Sequence, residues 1–112
     1  MTIRAYLPTT LALLAEQHAN GEVIVTDQVV VATEDDEESE YDALMTAAES
    51  SAARLSGPGR RVVVVAELDK APEPGWTIPL KRVVAVHADT EDGADPDDDL
   101  AWFATQEIPF LF

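Results

Sequence analysis

The sequence predicts an α/β fold: a small sandwich built on a mostly parallel sheet of about five strands with flanking helices. Three observations carry that expectation. The chain reads in order strand, helix, strand, helix, strand, strand, strand, and its two strand–helix–strand units invite right-handed crossovers between parallel neighbours. Val62-Val63-Val64-Val65-Ala66 is apolar without alternation, the pattern of a central strand covered on both faces. Between Tyr41 and Leu55 the apolar residues recur at helical spacing, which supplies a helix to flank that strand. A ferredoxin-like α+β layout is the alternative, and it follows if Val23 to Ala32 folds as a hairpin.

The first strand is expected at Ile3-Arg4-Ala5-Tyr6-Leu7, which alternates and stops at Pro8, a residue that cannot donate to a ladder. Thr9 or Thr10 then caps a helix to about Asn20, with Leu11, Leu14 and His18 on one stripe and Gly21 just past its end. Thr26-Asp27-Gln28 interrupts the β-branched run from Val23, so the next strand is placed at about Gln28 to Ala32. The hairpin alternative pairs Val23-Ile24-Val25 with Val29-Val30-Val31, without the Asn-Gly or Asp-Gly that a two-residue turn prefers. Thr33, three residues before Asp36, reads as the cap of the second helix. The carboxylates behind it fall in the first turns, where negative charge is favoured by ~0.3–1 kcal/mol each. The stripe of that helix is Tyr41, Leu44, Met45, Ala48, Ala52 and Leu55, and Gly57-Pro58-Gly59 ends it.

After the central strand, Asp69 to Pro79 carries Pro72, Pro74 and Pro79 around Gly75-Trp76. It holds too many breakers for a crossover helix and reads as a long loop or a short extended edge piece. Val83 to His87 is the next buried strand and Leu100 to Ala104 the fifth, followed by Thr105 capping a short Gln106-Glu107-Ile108 turn. Four of the seven aromatic residues (Trp102, Phe103, Phe110 and Phe112) lie in this last stretch. They are expected to complete the sheet and its core or, if exposed, to form a homodimer contact.

At 112 residues the chain fits a single domain over residues 1–112, and 46% hydrophobic residues provide for a core. The absence of cysteine removes disulfides, thiol catalysis and Cys-ligated metal sites, and it agrees with a reducing cytosol. No apolar run approaches the ~18 residues of a membrane span, and Met1-Thr2-Ile3-Arg4 leads into a strand-like segment, so a cytoplasmic chain is expected.

The formal net charge of −15 is not spread evenly. Glu34 to Asp42 holds seven carboxylates and Asp89 to Asp99 holds seven more, with no Lys or Arg in either, while the rest of the chain is nearly balanced. Nucleic acid and anionic membrane are therefore poor partners, since both need clustered cations, and the best cluster here is Arg60-Arg61 with Lys81-Arg82. The two runs can act as solvated surface or as a docking surface for a basic protein partner. An EF-hand is excluded: counting from Asp89, the glycine falls at the fifth position, and Leu100 occupies the twelfth.

Chemistry is sparse. Neither strand-to-helix junction, Pro8-Thr9-Thr10 or Thr33-Glu34-Asp35, has the glycines of a phosphate loop, and there is no nucleophile elbow or His-Glu-x-x-His, so no cofactor or metal is implied. His87 ends a strand, and extended geometry puts His87 with Asp89, and Glu67 with Asp69, on common faces. If the two strands run parallel, His87, Glu67, Asp69 and Asp89 converge at the carboxyl edge of the sheet as a candidate acid–base group. If they run antiparallel the four are split between opposite edges.

Arg4-Ala5-Tyr6-Leu7-Pro8-Thr9-Thr10, Glu38-Ser39-Glu40-Tyr41-Asp42-Ala43-Leu44, Arg60-Arg61-Val62-Val63-Val64, Val86-His87-Ala88-Asp89 and Asp99-Leu100-Ala101-Trp102-Phe103-Ala104-Thr105-Gln106-Glu107 lie in an order that resembles a small uncharacterised actinobacterial family. The resemblance spans nearly the whole chain. It implies a cytoplasmic bacterial protein without assigned catalytic residues. The leading expectation is a non-catalytic or regulatory protein-interaction module; the alternative is a small-ligand binder or acid–base enzyme centred on His87.

Overall fold

The computed structural model describes residues 2–32, 34, 36–55 and 59–111. Strands β1 (Ile3–Thr9), β3 (Val30–Val31), β4 (Val62–Leu68), β6 (Val83–Ala88) and β7 (Ala101–Ala104) form one sheet in the order β3-β1-β4-β6-β7. β2 (Glu22–Ile24) and β5 (Thr77–Pro79) form a second, two-stranded sheet. Helix α1 spans Leu11–Asn20 and α2 spans Glu37–Ala53.

Every hydrogen-bonded strand pair among the described residues is antiparallel, so the fold is α+β and the expected mostly parallel α/β sheet does not form. Two features of the connections explain the difference. β2 leaves the main sheet to pair with β5, so α1 is not a crossover within that sheet, and the Val23 to Ala32 hairpin is absent because β3 pairs with β1. β3 and β4 do run parallel on either side of α2, but β1 is inserted between them and pairs antiparallel with both. The helix-free segment between β4 and β6 supplies no crossover, and these strands are antiparallel neighbours.

The sheet is covered on both faces, which accounts for the unbroken apolar run of β4. On one face Leu7, Val62, Val64, Val86 and Ala88 meet Leu14 of α1, Val23 and Ile78 of the small sheet, and Ile108 of the 3-10 turn Thr105–Phe110. On the other, Tyr6, Val63, Val65 and Ala85 meet Ala43, Ala47 and Ala48 of α2, together with Leu100. Among the described residues no helix is long and apolar enough to cross a membrane.

β1 runs through Pro8 where the sequence predicts its end. The Thr9 carbonyl and the Val62 amide, opposite each other in register, are bridged by the Ser51 hydroxyl, which donates to Thr9 O at 2.7 Å and accepts from Val62 N at 2.8 Å. Thr9 therefore turns its backbone toward β4, and alternation turns that of Pro8 away. On that outer side β3 reaches only Ala5 and Tyr6, so the missing N–H of Pro8 costs no ladder bond. Ser51→Ala is expected to strip two buried backbone groups of their partner and to lower stability by about 1–3 kcal/mol in urea unfolding. An unchanged midpoint would mean that Val62 N closes directly onto Thr9 O.

α1 forms as predicted, with the Thr10 hydroxyl accepting from Leu13 N and Gly21 left-handed at φ 77°. α2 differs in two respects. Its cap is Asp36, whose carboxylate accepts from Ser39 N at 2.8 Å, while Thr33 and Gly57-Pro58, named above as its bounds, lie outside the described residues. Its buried face is Ala43, Ala47, Ala48 and Ser51, whereas Tyr41 and Ala52 of the predicted stripe are exposed. Small side chains let this helix lie close on the sheet, and the bulkier residues flank the contact. At the C-terminus Phe103, opposite Val86, turns into the core, whereas Trp102, opposite His87, stands 60% exposed on the other face and Phe110 is 86% exposed. The expectation that Trp102 completes the core is therefore overturned: β7 is an edge strand, and α2 covers β3, β1 and β4 without extending over it.

Candidate functional site

Along the edge of α2, where that face passes toward β6 and β7, lies a groove of about 380 Å³. Val65 and Ala85 floor it, with the buried Tyr6 ring; Tyr41 and Leu44 of α2 make one wall, and His87 and Trp102 the other. A register shift between β4 and β6 leaves Val84 as an extra residue that also turns toward the groove. At one end Arg4 donates to Glu40, so that pair of charges is mutually compensated. Burial pushes the His87 imidazole below its ordinary value of 6.5, which leaves it neutral at pH 7.

The four residues expected to converge do not meet. His87 lies opposite Val63, four residues from Glu67 and therefore about 13 Å along the strand, because β4 and β6 run in opposite directions. Glu67 lies opposite Arg4 on β1, and Asp69 faces Arg82 at 3.7 Å beyond the end of β4. Asp89 lies at the other end in a buried ion pair with Arg61. Among the described residues no hydrogen bond or ion pair joins a carboxylate to the His87 ring, and no three His, Asp or Glu side chains are placed to hold a metal ion.

Arg61 organises the second acidic run. Its backbone N and Nε each donate to Asp89 Oδ2 at 2.8 Å and its Nη2 to Oδ1 at 2.8 Å. The remaining donors reach the carbonyls of Pro96 at 3.1 Å and Asp98 at 2.8 Å, so one guanidinium holds both ends of the 89–98 loop. Burial alone would raise the Asp89 carboxyl, but the hydrogen bonds from Arg61 outweigh it and hold the group below the ordinary carboxylate range.

The fold brings the two acidic runs together. Tyr41 on α2 donates its hydroxyl to Asp99 Oδ1 at 2.9 Å across 58 residues of sequence. That bond, with the charges of Asp99, Asp42 and Asp97 around it, pushes the Tyr41 phenol above its ordinary value. Among the described residues no ion pair compensates Asp42, Asp97 or Asp99. The sequence places Tyr41 in a helix stripe, Trp102 in the core or a homodimer contact and Asp99 in an acidic run offered as a docking surface, and it does not bring the three together. The available signal was the alternation of Trp102 with Phe103, which on an edge strand sends one ring inward and the other out.

These features define an antiparallel α+β domain that presents an aromatic groove beside a joined acidic surface. The chain belongs to DUF6912, a family of unknown function, whose model matches residues 3–112. No curated protein and no solved structure matches it.

Proposed function

We propose that this domain is a non-catalytic, regulatory protein-interaction module whose acidic surface docks a basic protein partner in the cytoplasm. The observation that carries this reading is the meeting of the two acidic runs at the Tyr41–Asp99 hydrogen bond. Two runs far apart in sequence would each give a local field. Joined on one face, with Asp42, Asp97 and Asp99 within reach of one phenol, they give a single field that steers a cationic surface and weakens with salt. The acid–base reading centred on His87 has the groove in its favour, but the carboxylates expected to support a proton relay, Glu67, Asp69 and Asp89, are placed or paired elsewhere, and Glu40 in the groove is paired with Arg4. The exposed Trp102 and Phe110 rings leave room for self-association, which size-exclusion chromatography reports directly.

The test is calorimetric binding of a capped peptide of alternating arginine and alanine. At low ionic strength, Asp42→Asn with Asp97→Asn and Asp99→Asn should weaken binding about tenfold, as expected for three charges within ~7 Å of a bound cation. Glu16→Gln with Glu22→Gln and Glu73→Gln removes the same charge from other exposed positions and should change affinity less than about twofold. Equal losses in the two triple variants would show that net charge alone attracts the peptide, and the docking surface would be abandoned.

A further inference from the structure

We propose that the groove beside Tyr41 and Trp102 is the specificity pocket of this module and takes an arginine side chain of the basic partner. This rests on the docking reading above and adds to it the residue that is read. The groove runs along the edge of α2, and its Tyr41 wall is hydrogen-bonded to Asp99 at 2.9 Å, with the charges of Asp42 and Asp97 acting on the same phenol, so a cation is favoured beside that wall. Its walls carry two exposed rings, Tyr41 at 49% and Trp102 at 60%, from different elements. A guanidinium is planar, stacks on aromatic faces and is more weakly hydrated than an ammonium, so this lining discriminates for arginine over lysine. The interior does not oppose it. Arg4, the one full cation lining the groove, is bonded to Glu40, and His87 is neutral at pH 7. Leu44 in the wall and the exposed Val84 offer apolar surface to the methylene stem.

The sequence holds two tryptophans, so Trp76→Phe leaves Trp102 as the sole reporter of the groove. Titrating this variant with the arginine–alanine peptide should shift or quench Trp102 emission. The lysine–alanine peptide of equal length and charge should bind about threefold or more weakly. Trp102→Ala, at an exposed position that tolerates truncation, should abolish the preference for arginine while leaving salt-dependent binding of both peptides by calorimetry. Binding with unchanged Trp102 emission, or equal affinity for the two peptides in the unsubstituted protein, would overturn the arginine pocket and leave the acidic surface standing. Loss of binding to both peptides at low ionic strength would overturn the pocket and the docking surface together.

Discussion

A chain ending at Asp99 is expected to be unfolded. The removed segment carries Ile108, which is fully buried, Leu100, which is 8% exposed, and Phe103, which packs on the same cluster as Ile108. Truncating a buried isoleucine alone costs about 2–5 kcal/mol, and a domain of this size has about 5–15 kcal/mol in total. Loss of β7 would also leave the backbone edge of β6 unpaired beside Val86 and Ala88. Circular dichroism and thermal melting should show no cooperative transition. Two exposed rings among the described residues of that segment should behave oppositely: Trp102→Ala and Phe110→Ala are each expected to cost less than about 1 kcal/mol. A truncated chain that melts cooperatively at the temperature of the full chain would show that Ile108 is not part of the folding unit.

Asp89→Ala is expected to destabilise the protein by about 3–5 kcal/mol, since it leaves the Arg61 guanidinium buried without its counter-ion. For a domain of this length that lowers the melting temperature by roughly 10–30 °C. The acid limb of the stability curve should change too. The folded Asp89 carboxyl titrates below its unfolded value, so its contribution is fully present above about pH 4, the unfolded range, and is lost as the pH falls through the folded value. In the variant that part of the acid dependence should vanish. Arg61→Met combined with Asp89→Leu should recover part of the loss, because an apolar pair carries no unpaired charge, but the Pro96 and Asp98 carbonyls would still need water. If the single variant melts with the wild type, the ion pair is solvated and does not organise the loop.

Much of the fold was legible because it follows from local chemistry. The Thr10 hydroxyl and the left-handed backbone of Gly21 bound α1, and Val62 to Ala66 lies in the interior because the run carries no polar side chain to hold it at the surface. Strand direction was misread at that point. An apolar run reports that both faces are covered, and a parallel sheet is only one way to cover them. The prolines between Asp69 and Pro79 excluded a crossover helix and were the better guide to direction. The site was less legible for a related reason. Tyr41 and Asp99 are 58 residues apart, and their meeting depends on how α2 crosses the sheet, which no local pattern encodes. Arg61 read as half of a basic pair, and its burial depends on a loop that begins 28 residues later.

The Arg61 clasp makes this a cross-linked loop in a chain without cysteine. A disulfide joins two points and answers to the redox state of its surroundings; the guanidinium joins three points, the Asp89 carboxylate and the Pro96 and Asp98 carbonyls, and answers to none. Because these three struts end on one planar group, Arg61 is satisfied only when both ends of the loop are in place, while Gly93 N donates to Gly59 O at 3.0 Å and ties the middle of the loop separately. The six carboxylates between residues 89 and 98 repel one another in an open chain, and the ends of the segment that carries them are drawn to one interior cation, so removing that cation would release both ends at once.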